Sequence, residues 1–288
     1  MNKMIEKHYE IAGSKMKVLI PKEWSSEFFE SLNRYESVEK EWEHCFTYEV
    51  VDSLDDPYGE LLFQDSARWI YSYEASQIRY EGALEHGLNG GVYRICRVGN
   101  RSLIQVKKSK IYNKITPKMI LNTIEIEHIV AEKAGFLLHA SFVAYKGKAI
   151  LFTGPSGVGK STQADLWEKY KGARIINGDR VAVRTMKENV LAYGIPFSGS
   201  SGIYENETLE VSAIVCLSQR KISTLEEFDQ KRAFRYLWEQ CSMNTWNQKD
   251  VDSNVQSVLQ AIEKVPIFHL SCTPDESAVS LLEQVLEL

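Results

Sequence analysis

Gly154-Pro155-Ser156-Gly157-Val158-Gly159-Lys160-Ser161-Thr162 decides how this chain is to be read. It fits G-x-x-x-x-G-K-[ST] with no position missing. The run Ala149-Ile150-Leu151-Phe152 precedes it with the character of a buried strand. Ser161-Thr162-Gln163-Ala164-Asp165-Leu166-Trp167 follows and opens a helical pattern. The residue types suit polyphosphate. Gly154, Gly157 and Gly159 let successive backbone N–H groups turn toward phosphate oxygens, and the helix N-terminus adds partial positive charge at the same place. Ser156 and Val158 supply further amides. Lys160 would reach the β- and γ-phosphates, the Ser161 hydroxyl would hold Mg²⁺, and Thr162 completes the nucleotide-binding set. The motif by itself leaves kinase, ATPase motor, GTPase switch and carboxykinase open, and ATP open against GTP.

The stretch before the loop discriminates further. Phe136-Leu137-Leu138-His139-Ala140-Ser141-Phe142-Val143-Ala144-Tyr145 reads as a strand, followed by Lys146-Gly147 and then the strand that feeds the loop. A two-residue turn at Lys146-Gly147 makes the pair an antiparallel hairpin. Tyr145 then faces Lys148, and counting back sets His139 beside Gly154. The imidazole is therefore expected next to the phosphates, the alternative being a satisfied core histidine.

At these residues the chain resembles the catalytic domain of HPr kinase/phosphorylase and its wider family of small P-loop kinases, related in fold to phosphoenolpyruvate carboxykinase. The resemblance rests on the strand with His139, the short turn, and the strand leading into G-x-S-G-x-G-K-S. It also rests on Gly172-Ala173-Arg174-Ile175-Ile176-Asn177-Gly178-Asp179-Arg180-Val181, where Asp179 takes the place of the second of two family aspartates and Gly178 replaces the first. It implies an α/β domain with a mixed sheet and transfer of a γ-phosphoryl group from ATP to a hydroxyl. Asp179 would accept the hydroxyl proton or hold Mg²⁺ through water, with Lys160 and His139 beside it. The family's metal-binding glutamate has no counterpart near Val190–Gly194; Glu188 is near but out of register. Phosphorolysis and recognition of HPr therefore do not carry over.

Two further elements are candidates for the site. Gly194-Ile195-Pro196-Phe197-Ser198-Gly199-Ser200-Ser201-Gly202 is a second small-residue loop, whose Ser198, Ser200 and Ser201 hydroxyls could hold an acceptor or a phosphate. Arg220 follows an apolar strand at the position of a family arginine, and Arg180 adjoins Asp179. Each could face transferring phosphate; a solvated surface arginine is the simpler reading.

The rest of the 288 residues sets bounds. Apolar residues make up 44% and charged ones 25%, as in globular proteins. The net charge of −5 points to neither nucleic acid nor an anionic membrane as a partner. The N-terminus has no apolar signal core, and no apolar run approaches the roughly 20 residues that span a bilayer. The 5 cysteines form no C-x-x-C pair, so a reducing cytoplasm is expected. Residues 1–115 read as a β-rich accessory domain, with strands near 15–19, 46–51, 60–63, 68–73, 92–97 and 102–106. After Lys107-Lys108-Ser109-Lys110, a continuous helix is expected through Ile120, Leu121, Ile124, His128 and Ala131, ending by Gly135. Residues 116–288 form the catalytic domain, with strands at 137–145, 148–153, 174–177, 190–193 and 211–217. Its helices fall at 160–171, 230–241, 251–264 and 275–287.

The acceptor is expected to be Ser or Thr of a peptide or small protein, as for a tailoring kinase of ribosomally made peptides. A small-molecule hydroxyl such as free serine is the enzyme alternative, and an ATP-sensing module without transfer is the alternative from another class. A homo-oligomer is left open.

Overall fold

The computed structural model describes residues 4–24, 30–111, 117–197 and 199–286. The chain divides into two compact units, Met1–Ile126 and Glu127–Leu288. The boundary near residue 115 lies outside the described residues, and the division falls after Ile126.

The first unit is one mixed sheet. Its strands are β1 (Met4–Ile11), β2 (Ser14–Pro21), β3 (His44–Val51), β4 (Glu60–Gln64), β5 (Arg68–Tyr73), β6 (Ser76–Gly82), β7 (Gly91–Val98) and β8 (Arg101–Lys107). They lie in the order β1-β2-β3-β8-β7-β6-β5-β4. The β2–β3 and β3–β8 pairs are parallel and the rest antiparallel. Short helices α1 (Lys108–Ile111) and α2 (Pro117–Thr123) follow. Tyr48 and Thr123 share a buried hydroxyl hydrogen bond of 2.7 Å, which ties α2 to the sheet.

The continuous helix expected over 120–131 is two helices. α2 stops at Thr123 and α3 (Ile126–Glu132) starts afresh, because Glu125 takes φ 53°, a left-handed value no helix interior tolerates. Its carboxylate is buried against the Arg97 guanidinium at 3.2 Å, an ion pair that periodicity along the chain cannot reveal.

The second unit holds β9 (Gly135–Tyr145), β10 (Lys148–Thr153), α4 (Lys160–Lys171), β11 (Arg174–Asn177), β12 (Arg180–Thr185), β13 (Val190–Gly194), β14 (Thr208–Gln219), β15 (Thr224–Glu227), α5 (Gln230–Gln240), β16 (Cys241–Ser242), α6 (Gln248–Lys264), β17 (Ile267–Cys272) and α7 (Glu276–Glu283). Two long strands, β9 and β14, each serve two sheets. The first half of β9 pairs with β12 and β16, and its second half pairs with β10 and β11. Likewise β14 pairs with β13 at its start, and with β10 and β17 further on. The pairings therefore close a circuit, β10–β9–β12–β13–β14–β10.

Two apolar clusters flank this framework. One gathers Phe136, Phe142, Ile214 and Cys216 with Ala233, Leu237 and Val258 from α5 and α6. The other gathers Val143, Ile150, Phe152 and Val215 with Trp167 from α4 and Leu282 from α7. Trp167 is fully buried, with Tyr145 packed edge-on at 5.1 Å. This wedge sets the exit of α4 from the loop, and Gly172 at φ 63° ends the helix in a left-handed cap. Among the described residues no helix is long and apolar enough to cross a membrane.

Candidate functional site

Lys146 and Gly147 take φ 47° and 78°, the two positive values of a tight hairpin turn whose twist matches the flanking strands. Tyr145 consequently faces Lys148 and Ala140 faces Thr153. The next residue back, His139, accepts a 2.8 Å hydrogen bond from the Thr153 hydroxyl at its carbonyl. His139 is thus held at the mouth of the glycine loop.

The loop itself follows from its glycines. Gly154, Gly157 and Gly159 have φ of 149°, 77° and 115°, and Gly159 caps α4. A side chain on Gly154 would come within 2.8 Å of the Tyr236 hydroxyl, so that position is closed to anything larger. Two residues from distant elements lie against the loop, and Gln219 bonds it directly. The Tyr236 hydroxyl donates to the Leu217 carbonyl at 2.7 Å, and the Gln219 amide donates to the carbonyls of Gly157 at 3.1 Å and Val158 at 3.3 Å. Pro155, Ser156, Gly157 and Val158 line a cavity of about 510 Å³ with Leu217, Ser218, Gln219 and Tyr236. Ser161 and Thr162, in the first turn of α4, are exposed.

Lys160 is 8% exposed, and its ammonium donates to the carbonyls of Gly154 at 2.9 Å and Pro155 at 3.2 Å. Burial pulls its pKa below the ordinary lysine value, and the Asp179 charge opposes that pull. The cation is therefore desolvated and held by neutral carbonyls.

Asp179 reaches the same place by an interrupted strand. β11 and β12 both run antiparallel to β9 on one edge, with Asn177 facing Phe142 and Arg180 facing His139. The ladder breaks between them, and the Asp179 carbonyl accepts from the Ala140 amide at 3.0 Å. Asn177 shapes the break. Its buried side chain accepts from the amides of Asp179 at 2.9 Å and Arg180 at 3.0 Å, and donates to the carbonyls of Ile195 at 3.0 Å and Phe197 at 2.7 Å. One amide thus joins the Asp179 turn to the second small-residue loop. Asn177→Ala is expected to cost about 2–3 kcal/mol, since it strands several buried backbone groups. Denaturant unfolding, with urea midpoints of the two proteins compared, checks it.

The Asp179 carboxylate lies 3.6 Å from His139 Nε2 and 3.7 Å from Arg180 Nε. The imidazole is the largest cause holding Asp179 below the usual carboxylate range; Arg180 and Lys160 add to it, and burial opposes them. A depressed carboxylate contributes stability above its unfolded pKa of about 3.9, lost as pH falls through the folded value. His139→Ala is expected to move the Asp179 titration upward, toward the ordinary range. Carbon-detected NMR titration of the side-chain carboxyl reads this without any assay of activity.

Gly199, φ 55°, packs directly on this carboxylate: a methyl group there would sit 2.8 Å from Asp179 Cβ and Cγ. The second loop is thus brought to Asp179 through Gly199 and Asn177. Ser198 lies outside the described residues, Ser200 belongs to a short 3₁₀ turn (Gly199–Ser201), and the Ser201 hydroxyl accepts from the Ile203 amide at 3.2 Å. Arg180 stacks on the Phe197 ring at 4.9 Å and lies 3.8 Å from Glu127. With His139, Asp179, Glu239, Gln240, Cys241 and Ser242 it lines a cavity of about 260 Å³. Arg220 is not brought to Asp179: it is exposed and lines a separate cavity with Gln219, Lys221, Ile222, Thr224 and Ser271. Gln219, Tyr236 and Asn177 could not be found from the motif, because their roles depend on strands and helices far away in sequence.

Residues 103–287 match the protein-family model described as SynChlorMet cassette protein ScmC. Among solved structures, the Hpr(Ser) kinase/phosphatase from Coxiella burnetii is similar over 52% of this chain and 87% of that chain, at 12% identity. Its TM-score is 0.28, a likeness too loose to carry weight. No curated protein matches the chain.

Proposed function

The chain belongs to the SynChlorMet cassette protein ScmC family, and from that premise we propose that it is a kinase moving the γ-phosphoryl group of ATP to a hydroxyl. The observation that carries this reading is Lys160, bonded inside the glycine loop, with Asp179 beside His139, whose carbonyl bonds Thr153 at the start of that loop. A buried ammonium inside a glycine loop suits a polyphosphate, and an ionised carboxylate at the loop's mouth suits an incoming alcohol. Among the described residues no cluster of three or more His, Cys, Asp or Glu is built to cage a metal. Mg²⁺ keeps its waters and binds through one or two carboxylates plus phosphates. Ser161 and Asp179 would hold it, and it would supply charge neutralisation at the phosphates.

In this reading the backbone amides of Ser156 to Lys160 and the Lys160 ammonium orient the triphosphate. Asp179 positions the acceptor hydroxyl and takes its proton as the bond to phosphorus forms. His139 and Arg180 keep Asp179 ionised and aimed. The word cassette in the family's description directs the search for the acceptor to products of neighbouring genes. Ser or Thr of such a peptide is the favoured acceptor, and a small hydroxyl compound is the competing one. The test is incubation with ATP labelled at the γ-phosphate, Mg²⁺ and a panel holding those peptides and free serine. Label on a peptide hydroxyl is expected. Release of phosphate to water alone, across the whole panel, sinks the reading.

A further inference from the structure

Beside the glycine loop, on the β14 flank, the structure holds a second chain of polar groups. His269 Nδ1 lies 3.1 Å from Glu226 Oε1, and His269 Nε2 lies 3.0 Å from Ser218 Oγ. Register explains the meeting. β14 and β17 run parallel with Cys216 facing His269 and Ser218 facing Ser271, so the imidazole and the Ser218 hydroxyl stand on one face. β15 runs antiparallel to β17 and sets Glu226 opposite His269. The Phe228 ring stacks on the imidazole at 4.9 Å and fixes its plane.

Carboxylate, imidazole and hydroxyl in this order form the arrangement that activates a serine: Nδ1–H donates to the acid, leaving Nε2 free to accept the hydroxyl proton. Glu226 is kept ionised by Arg232 first and by His269 second. A tie between strands would need only a hydrogen bond, whereas Ser218 is also a cavity-lining residue. Ser218 lines the same cavity of about 510 Å³ as Pro155, Ser156, Gly157 and Val158 of the loop. Ser271, 2.8 Å from Ser218, instead lines the neighbouring cavity with Arg220 and Lys221.

We propose that Ser218 is phosphorylated by the chain's own bound triphosphate, with His269 as its base. The Ser218 oxygen bonds to the γ-phosphorus and the bond from that phosphorus to the β,γ-bridging oxygen breaks. The nucleoside diphosphate leaves with that electron pair, and the hydroxyl proton passes to His269 Nε2, the resulting imidazolium being balanced by Glu226. The step rests on the kinase reading, which supplies the donor.

The experiment uses the full chain with γ-labelled ATP and Mg²⁺ and no added acceptor, followed by intact mass and peptide mapping. Nucleotide binding is measured on every preparation by thermal shift. One phosphate on Ser218 is expected, absent in Ser218→Ala and retained in Ser271→Ala. His269→Ala should label about 10²–10⁴-fold more slowly while still binding nucleotide, and added imidazole should restore part of the rate. Label on another residue, or none in a protein that binds ATP, overturns the proposal. So does His269→Ala labelling at the parent rate. If Ser218→Ala still transfers phosphate to a peptide while the parent shows no label of its own, this inference fails and the kinase reading stands. A parent protein that neither binds nor turns over ATP ends both.

Discussion

Asp179→Asn is expected to lower phosphoryl transfer by about 10²–10⁴-fold while nucleotide affinity stays within a few-fold of the parent value. The substitution keeps size and shape, so the close packing of Gly199 against the Asp179 side chain is preserved. What changes is the charge. An amide cannot take the proton of an alcohol, and it no longer draws on His139 and Arg180, the ion pairs at 3.6 Å and 3.7 Å. The loop amides, Lys160 and Ser161 are untouched, so binding survives, and the loss of one of the two groups proposed for Mg²⁺ accounts for the few-fold allowance. Calorimetric binding of a non-hydrolysable triphosphate and single-turnover transfer to the acceptor separate the two quantities. A variant that transfers at the parent rate would remove Asp179 from the chemistry, while the transfer itself would stand.

Lys160→Ala is expected to fail one step earlier. Charge-assisted hydrogen bonds are worth about 1.5–3 kcal/mol each. Losing the ammonium should therefore weaken triphosphate binding by roughly 10–10²-fold, by the same conversion. Transfer should fall by at least as much, since the cation faces charge that grows in the transition state. Ligand-free protein should stay folded, because among the described residues the ammonium bonds the carbonyls of Gly154 and Pro155, both within its own loop. Melting curves with and without ATP and Mg²⁺ check this. The parent should rise by an amount reflecting about 2.7 kcal/mol at a hundredfold excess over Kd, and the variant, at the same ligand concentration, by an amount reflecting only about 0.4–1.4 kcal/mol. An equal rise in both would mean that the loop does not hold the phosphates.

Much of the second unit could be read from local pattern. The helix at 160–171 and the strands at 148–153 and 174–177 coincide with α4, β10 and β11, because caps and turns bound them sharply. The register of β9 on β10 followed from two residues, Lys146 and Gly147, since pleat alternation leaves no freedom once the turn length is fixed. Reading stopped where partners are remote. The strand Arg180–Thr185 is not among the strands expected from local pattern. In the fold Asn177-Gly178-Asp179 interrupts one line of pairing along β9, and only β9 itself reveals that. The strand Ile267–Cys272 was passed over between two strong helical patterns; it is specified by the full parallel partner β14 offers. In the first unit, strands Met4–Ile11 and Ser76–Gly82 were likewise missed. The first alternates charge with apolar residues so that only one face is buried, and the second carries the buried Arg79 where a core residue was sought. Arg220, just past the end of β14, is exposed and lines the cavity next to the loop's own, the two sharing Gln219.

The shared strands have a consequence for synthesis on the ribosome. Every residue of the glycine loop has been translated by Thr162, yet one flank of its strand is β14, which ends at Gln219 and is itself flanked by β17, ending at Cys272. A nascent chain released before Thr208 would carry the complete signature with that flank bare, and Tyr236 and Gln219 not yet there to lie against it. Such a fragment should show no affinity for nucleotide, and the long separations along the chain should make this half slow to mature. Competence for phosphate is thus conferred late, by the arrival of the carboxy-terminal strands.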